Sequence, residues 1–223
     1  QIIQNKKKGE SKAREYVEMP DVVLRTLLEY IYNIYISIVL TFYKYIKNYG
    51  LSTNPIIKVE TLSGIILLSE NSEGLVRVDM GLPDIRTSIN RHGVNYDHVL
   101  IGNPHAVINL AGNNISEENY QNIALDIQGT WEDGINVGFM SIIDRDSIQL
   151  KVFERGSGFT MACGSGACAA AAVAISKNKL KTPITVNMDG GVVQIDWDMK
   201  NTMTLSGSAE ISFEGEVNLN AYA

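Results

Sequence analysis

A chain of 223 residues, 45% of them hydrophobic, is too apolar for a disordered protein and long enough to bury one sizeable core or two small ones. Its net charge of −6, with no long Lys/Arg tract beyond Lys6, Lys7 and Lys8, excludes the electrostatic footprint of a nucleic-acid-binding protein. We therefore expect a small-molecule partner and no nucleic acid.

The N-terminal residues and the two cysteines indicate the cellular compartment of the protein. Gln1 to Lys8 contains no apolar block of the kind that a signal peptide has, and the chain does not begin with Met, so we expect the natural N-terminus to lie upstream. The two cysteines, Cys163 and Cys168, lie five residues apart in one Gly/Ala-rich segment, which suits neither a disulfide framework nor a zinc site. This pattern predicts a reducing, cytoplasmic setting and no metal.

The first predicted element is a helix over Asp21 to Tyr49, with Asp21 as N-cap and Gly50 as the C-terminal stop. Within it, Tyr30 to Tyr43 carries no charged residue and is rich in Ile and Tyr. The stretch is shorter than the ~20 apolar residues that a bilayer crossing needs. We therefore predict a buried or amphipathic helix and no membrane partner.

Short β-branched runs follow this helix. Ile56 to Leu68 and Gly74 to Met80 predict a strand meander, whereas Gly81 to Asp97 is polar and predicts irregular structure. Val99 to Leu110 consists of two apolar runs interrupted by Gly-Asn-Pro-His. We expect this interruption to place polar groups between two strands.

The remaining elements predict an α+β fold. Ser116 to Ile127 is typical of a surface helix with Ser116 as N-cap, and Ser165 to Lys177 is an Ala-rich helix whose small side chains would let strands approach closely. Further strands are predicted at Asn136 to Ile143, Ser147 to Glu154, Ile184 to Met188, Val192 to Trp197, Met203 to Ser206 and Glu210 to Glu216. We predict a strand-rich lobe wrapped around a central helix.

Glu154 ends the strand that precedes this helix. Because Ile148, Leu150 and Val152 alternate onto one face, the same period places Glu154 on that inward face. A buried carboxylate needs a partner, since burial without one costs roughly several kcal/mol; Arg155, His105 and backbone amides are available. The alternative is that Gly156 breaks the register and Glu154 turns to solvent.

Cys163 directly precedes the Ala-rich helix and is followed by Gly164-Ser165-Gly166. Such a loop directs N–H groups into one cavity at a helix N-terminus, which favours anions and a thiolate whose pKa is lowered to roughly 3.5–7.5. The alternative is a small buried thiol beside a Gly-rich turn. Cys168, inside the helix and flanked by alanines, is predicted to have a packing role.

Two segments carry a resemblance to a known family. Glu154 to Ile175 (ERGSGFTMACGSGACAAAAVAI) and Ile101 to Ile108 (IGNPHAVI) resemble the C-terminal half of diaminopimelate epimerase, and they occur in the same order. Further similarity appears at Gly134 to Val137, Gly190-Gly191 and Leu205 to Val217, and weaker similarity at Val59 to Ile66 and Val76 to Pro83. The resemblance thus covers most of residues 45 to 217. The chain is therefore similar to the diaminopimelate epimerase family.

The resemblance implies a fold, a reaction and a site. The family fold has two lobes, each a sheet around a central helix, with the substrate in the cleft between them. The implied reaction is the cofactor-independent interconversion of LL- and meso-diaminopimelate in lysine and peptidoglycan precursor synthesis. Cys163 would be one of two catalytic cysteines, with Glu154 and His105 setting its protonation state. The implied substrate-binding residues are Asn103, Asn136, Glu154, Arg155, Gly164 and Ser165.

The chain departs from the family pattern in its N-terminal part. The family's other cysteine lies in a Cys-Gly-Asn-Gly motif, whereas Tyr16 to Val39 contains neither Cys nor Gly. We therefore predict an incomplete N-terminal lobe (1–97, with the Tyr-rich helix 21–49), a C-terminal lobe that carries Cys163 (98–206) and a return strand (207–223). Inversion would be impaired, and an exposed half-lobe would favour a homodimer.

Two other functions agree with the residues. The chain could be a non-catalytic relative that binds anions or amino acids through its C-terminal lobe and contacts a partner through the helix Tyr30 to Tyr49. It could also be a cysteine hydrolase built from Cys163, His105 and Glu154. Release of a hydrolysis product would favour the hydrolase.

Overall fold

The computed structural model describes residues 35–61 and 64–210. These residues form three α-helices, namely α1 (Tyr35–Asn48), α2 (Tyr120–Gln128) and α3 (Gly164–Ser176). Twelve strands accompany them: β1 (Ile57–Thr61), β2 (Gly64–Glu70), β3 (Val76–Gly81), β4 (Asp84–Arg91), β5 (Val94–Ile101), β6 (Asn103–Asn109), β7 (Asn136–Ile142), β8 (Ser147–Glu154), β9 (Gly158–Thr160), β10 (Ile184–Met188), β11 (Gly191–Asp196) and β12 (Met203–Gly207). The predicted N-cap Asp21 and nearly all of the predicted strand at 210–216 lie outside the described residues.

The strands form one mixed sheet. Its order is β1-β2-β3-β12-β11-β10-β8-β7-β6-β5-β4, and β9 pairs with β8. Neighbouring strands of the described residues are antiparallel except for the parallel pairs β6–β7 and β8–β10. The sheet continues through the predicted lobe boundary at residues 97 and 98, which falls inside β5.

Helix α3 lies at the centre of the sheet. All residues from Gly166 to Ile175 are buried, and the helix contacts strands β5 to β8, β10 to β12 and helix α1. Alanine side chains make this possible, because a larger side chain at these positions would hold the strands further from the helix axis. The predicted α+β fold with strands wrapped around a central helix is confirmed.

Helix α1 closes part of this core. Its buried side chains Val39, Leu40, Tyr43 and Ile46 lie on one face, as expected for an amphipathic helix. Gly50, with a φ of +62°, ends the helix, and the Leu51 N–H donates to the Ile46 carbonyl at 2.9 Å. The predicted stop is confirmed. No helix within 35–61 and 64–210 is both long and apolar enough to cross a membrane.

Helix α2 covers the opposite face of the sheet. Tyr120 stacks on Phe139 of β7 with ring centroids 4.1 Å apart, within a second buried apolar cluster. The predicted helix start at Ser116 is wrong, since a 3₁₀ turn (Glu117–Asn119) intervenes and the Ser116 side chain caps no N–H there. Instead, the Asn119 side chain donates to the Ser116 hydroxyl at 2.8 Å.

Two predictions of irregular structure are also wrong. Gly81 to Asp97 contains β4 and the start of β5, joined by a two-residue turn at His92 and Gly93, whose φ angles are +47° and +85°. Likewise, Asn103 to His105 lies within β6 rather than between strands, because Gly102 alone makes the turn from β5. The sequence did not indicate these strand segments, because their polar side chains do not form the alternating apolar pattern that is typical of a strand. Only the backbone pairing shows that they are strands.

Candidate active site

Three adjacent strands carry polar side chains toward α3. His105 of β6 is the register partner of Asn136 of β7, and both residues are buried. Glu154 of β8 is only 2% exposed and continues the inward face of Val152. The prediction that Glu154 points inward is confirmed, and the alternative that it turns to solvent is wrong.

The β8–β9 hairpin supplies the partners of Glu154. Gly158 pairs with Glu154, and the Thr160 hydroxyl donates to Oε1 of Glu154 at 2.6 Å. The Cys163 thiol lies near enough to this carboxylate to lower its pKa. Burial raises the pKa of Glu154, and the Thr160 hydroxyl and the Cys163 thiol offset this effect only in part.

Thr160 was missed in the sequence, where Arg155, His105 and backbone amides were the expected partners. The two glycines of Gly156-Ser157-Gly158 could have indicated a tight hairpin directly after Glu154. Both have positive φ, which glycine adopts without steric cost. Pairing across that hairpin places Thr160 opposite Val152, on the inward face.

Cys163 is the N-cap of α3 and is 4% exposed. Its Sγ accepts the Gly166 N–H at 3.4 Å and lies 3.7 Å from the Ser165 hydroxyl. Its own N–H donates to the Met188 sulfur at 3.5 Å. The first turn of the helix therefore contacts the thiol through Ser165 and Gly166.

The pKa of Cys163 is raised to about 12, chiefly by burial and then by the charge of Glu154. The Gly166 amide and the Ser165 hydroxyl lower the pKa but do not outweigh these effects. The prediction of a lowered thiol pKa is wrong, because a helix N-terminus alone does not replace the lost solvation of a thiolate. At neutral pH the Cys163 thiol carries its proton.

His105 is also fully buried, at 1% exposure, and its Nε2–H donates to Oδ1 of Asn103 at 2.9 Å. Burial lowers the pKa of His105 to about 3, with smaller contributions from the positive charges of Arg155 and His98. The imidazole is therefore neutral at neutral pH. It supplies no positive charge to stabilise a Cys163 thiolate, and its catalytic role stays a prediction.

Arg155 is held by the turn that precedes β7. Its backbone N–H donates to Oδ1 of Asn136 at 2.9 Å, and its guanidinium donates to the Asp133 carbonyl. Gly134, with a φ of +69°, lies under this side chain, where a Cβ would come within 3.2 Å of the Arg155 Cδ. Substrate contacts of Arg155, and of Asn103, Asn136, Gly164 and Ser165, stay predictions.

Cys168 lies inside α3 and is completely buried among core residues. Burial raises the pKa of its thiol, and both cysteines are free. The predicted packing role agrees with this position. In the described part of the chain, no group of three or more His, Cys, Asp or Glu side chains could hold a metal ion.

Solved structures share the fold. A probable proline racemase from Agrobacterium radiobacter K84 matches with a TM-score of 0.59 at 14% identity, over 81% of this chain and 66% of that one. A putative phenazine biosynthesis PhzC/PhzF protein from Clostridium difficile matches with a TM-score of 0.59 at 17% identity, over 81% and 72%. The chain thus spans about two thirds of these structures.

Sequence relatives define the family. The family model described as diaminopimelate epimerase matches residues 98–212. A diaminopimelate epimerase of Nitrosomonas eutropha is 35% identical over 195 residues, which cover 80% of this chain and 70% of the relative. A diaminopimelate epimerase of Burkholderia vietnamiensis is 34% identical over 206 residues, covering 80% and 71%.

The fold and these relatives define the class as amino-acid racemases and epimerases. Within this class, the chain belongs to the diaminopimelate epimerase family.

Proposed function

We propose that this protein interconverts LL- and meso-diaminopimelate by cysteine acid/base proton transfer, without a cofactor, in lysine and peptidoglycan precursor synthesis. The curated relatives named diaminopimelate epimerase support the substrate. The observation that carries the proposal is the buried thiol of Cys163 at the start of α3, whose pKa is raised by the charge of the buried Glu154 carboxylate. Because both cysteines are free and the chemistry needs a reduced thiol, we place the reaction in the cytoplasm.

The resting thiol suits proton donation. Since the pKa of Cys163 is about 12, the group enters the reaction protonated and can deliver its proton to a carbanion at the α-carbon. In that step the S–H bond breaks, the C–H bond forms and the negative charge moves to sulfur. Gly166 N–H and the helix N-terminus then stabilise the thiolate that results.

The reverse step needs Cys163 as a thiolate. A bound amino acid brings a positive ammonium group into the site, and an opposite charge favours the ionised forms of Cys163 and Glu154. A thiolate with a high pKa is also a stronger base toward the weakly acidic α-proton. The amides of Gly164 and Ser165 would hold the substrate carboxylate, whose charge grows as the carbanion forms.

Efficient inversion requires a second proton-carrying group on the opposite face of the α-carbon. Cys168 does not provide it, because this thiol is fully buried inside the same helix as Cys163. Tyr16 to Val39 contains no cysteine either. The proposal therefore predicts proton exchange that is faster than inversion.

Incubation with LL-diaminopimelate in deuterated water tests the proposal. We expect α-deuterium in the substrate, detected by mass spectrometry, and a slower appearance of meso product by chiral chromatography. Exchange without any inversion would limit the site to one-sided proton transfer and contradict the epimerase activity. Neither exchange nor inversion would support a non-catalytic, amino-acid-binding relative.

The geometry favours this proposal over a cysteine hydrolase. A hydrolase would need His105 to orient toward the thiol as its base. Here the His105 Nε2–H is engaged by Asn103, and the imidazole is a weak base with a pKa of about 3. Glu154, not His105, is the acidic or basic group that shifts the pKa of Cys163.

A further inference from the structure

Strands β7 and β8 separate at the end that carries the site. Their antiparallel pairing ends at Val137 and Phe153. Beyond this pair, side chains join the two strands: Oδ1 of Asn136 accepts the Arg155 N–H at 2.9 Å, as described above. The separation makes room for the Asn136 and Glu154 side chains on the face toward α3.

Gln128, the last residue of α2, bridges the same two strands from the other face of the sheet. Its side-chain amide donates to the Ile135 carbonyl at 2.9 Å and to the Phe153 carbonyl at 3.5 Å. Ile135 directly precedes Asn136, and Phe153 directly precedes Glu154. The half-buried amide of Gln128 therefore hydrogen-bonds to the backbone directly before each of the two site residues, Asn136 and Glu154.

We propose that Gln128 is a positioning residue, whose amide fixes the distance between the ends of β7 and β8 and so holds Glu154 against the Cys163 thiol. Its kinetic consequence rests on the proposed epimerase function, whereas its effect on the thiol does not. A side chain without donors would remove the hydrogen bonds that Gln128 makes to the Ile135 and Phe153 carbonyls next to the site. The strand ends would then move apart and admit water.

The pKa of the Cys163 thiol is a measure of whether the strand ends have moved apart. Burial and the nearby charge of Glu154 are the two main causes that raise the thiol pKa, and both weaken if the strand ends separate. The pKa of Cys163 should then fall toward the ordinary thiol value of 9.0. The thiolate, which is the species that alkylating reagents attack, becomes more abundant at a given pH.

The test compares two substitutions at Gln128 with a matched control. Gln128→Met keeps the length but has no donor, and Gln128→Glu keeps the shape but places an oxygen against the carbonyls. Thr130→Val is the control, because the Thr130 hydroxyl donates to the Ile127 carbonyl at 2.7 Å in the turn that follows α2. Iodoacetamide labelling of Cys163 is measured by peptide mass spectrometry from pH 7 to pH 10.

We expect the labelling rate of the unsubstituted protein and of Thr130→Val to rise about tenfold per pH unit throughout, since the thiol stays far below its pKa. Both Gln128 variants should label at least tenfold faster at pH 8 and level off before pH 10. A rate raised by the same factor at every pH would indicate access alone and would overturn the proposal. So would a lower melting temperature with an unchanged labelling curve.

The exchange reaction separates this proposal from the proposed function. In deuterated water, the Gln128 variants should lose at least tenfold in α-exchange while Thr130→Val retains it. If the unsubstituted protein shows no exchange, the proposed function fails, but the labelling curves still decide the role of Gln128. If either Gln128 variant does not fold, the other gives the same readout.

Discussion

The pKa of Cys163 shows that burial and a nearby negative charge outweigh the effect of a helix N-terminus. The Gly-Ser-Gly turn and the helix N-terminus were visible in the sequence, and they favour a thiolate. Burial and the charge of Glu154 oppose them and raise the pKa to about 12. The depth of burial depends on strands far apart in the chain, so the direction of the shift could not be predicted from the motif.

Replacing Glu154 tests this balance. Glu154→Gln keeps the shape and removes the negative charge, so the pKa of Cys163 should fall and iodoacetamide labelling at pH 8 should become several-fold faster. Glu73→Gln, which makes the same change at an exposed carboxylate in the turn between β2 and β3, is the control and should leave the rate unchanged. An unaltered labelling rate in Glu154→Gln would show that burial alone sets the thiol pKa.

The neutral imidazole of His105 links stability to pH. Its pKa lies at about 3 in the folded protein, below the ordinary value of 6.5, so the unfolded chain binds more protons between these values. The stability that this residue contributes is present above pH 6.5 and is lost as the pH falls toward 3. The slope approaches about 1.4 kcal/mol per pH unit.

His105→Gln retains a donor toward Asn103 and removes the titration. Urea unfolding of the native protein and the variant between pH 7 and pH 4 measures the difference in unfolding free energy. We expect this difference to shrink on the acid side, as the native protein loses the contribution of His105. A difference that does not vary with pH would contradict the burial of a neutral imidazole.

Among the elements, strands with alternating apolar residues were predictable and polar strands were not. β8 and β10 have the bounds that the sequence predicted, because Ile148, Leu150 and Val152 in the first, and Ile184, Val186 and Met188 in the second, face the core. β4 was missed, since most of its side chains are exposed and polar. Thr160 and Gln128 were missed for a related reason, as their roles arise from pairing across the sheet.

The first turn of α3 depends on a glycine for packing rather than for its backbone angle. A Cβ at Gly166 would lie 3.1 Å from Val152 Cγ2 and 3.2 Å from Cys163 Sγ. Gly166→Ala should therefore displace the thiol and reduce α-exchange at least tenfold, even though alanine favours a helix by about 1 kcal/mol. Deuterium incorporation and thermal unfolding together measure this effect.

Gly112→Ala is the matched control, since an added Cβ there meets no atom within 4 Å. It should change neither exchange nor the melting temperature by much. If Gly166→Ala retains full exchange, the position of Cys163 does not depend on the close packing of this turn.

For the whole molecule, the α+β class followed from the Ala-rich helix and the many short strands. The order of the strands did not, because pairs such as Val78 with Leu205 join distant parts of the chain. The predicted lobes and homodimer stay predictions. Light scattering of the purified protein measures the homodimer, and a monomer at all concentrations would contradict it.

The central claim is that Cys163 moves the α-proton of the substrate. Its most direct test compares deuterium incorporation into LL-diaminopimelate by Cys163→Ala, Cys168→Ala and the unsubstituted protein. We predict that Cys163→Ala loses exchange by about 10²- to 10⁴-fold, the usual contribution of one acid/base group, whereas Cys168→Ala retains it. Equal exchange by Cys163→Ala and the unsubstituted protein would contradict the account.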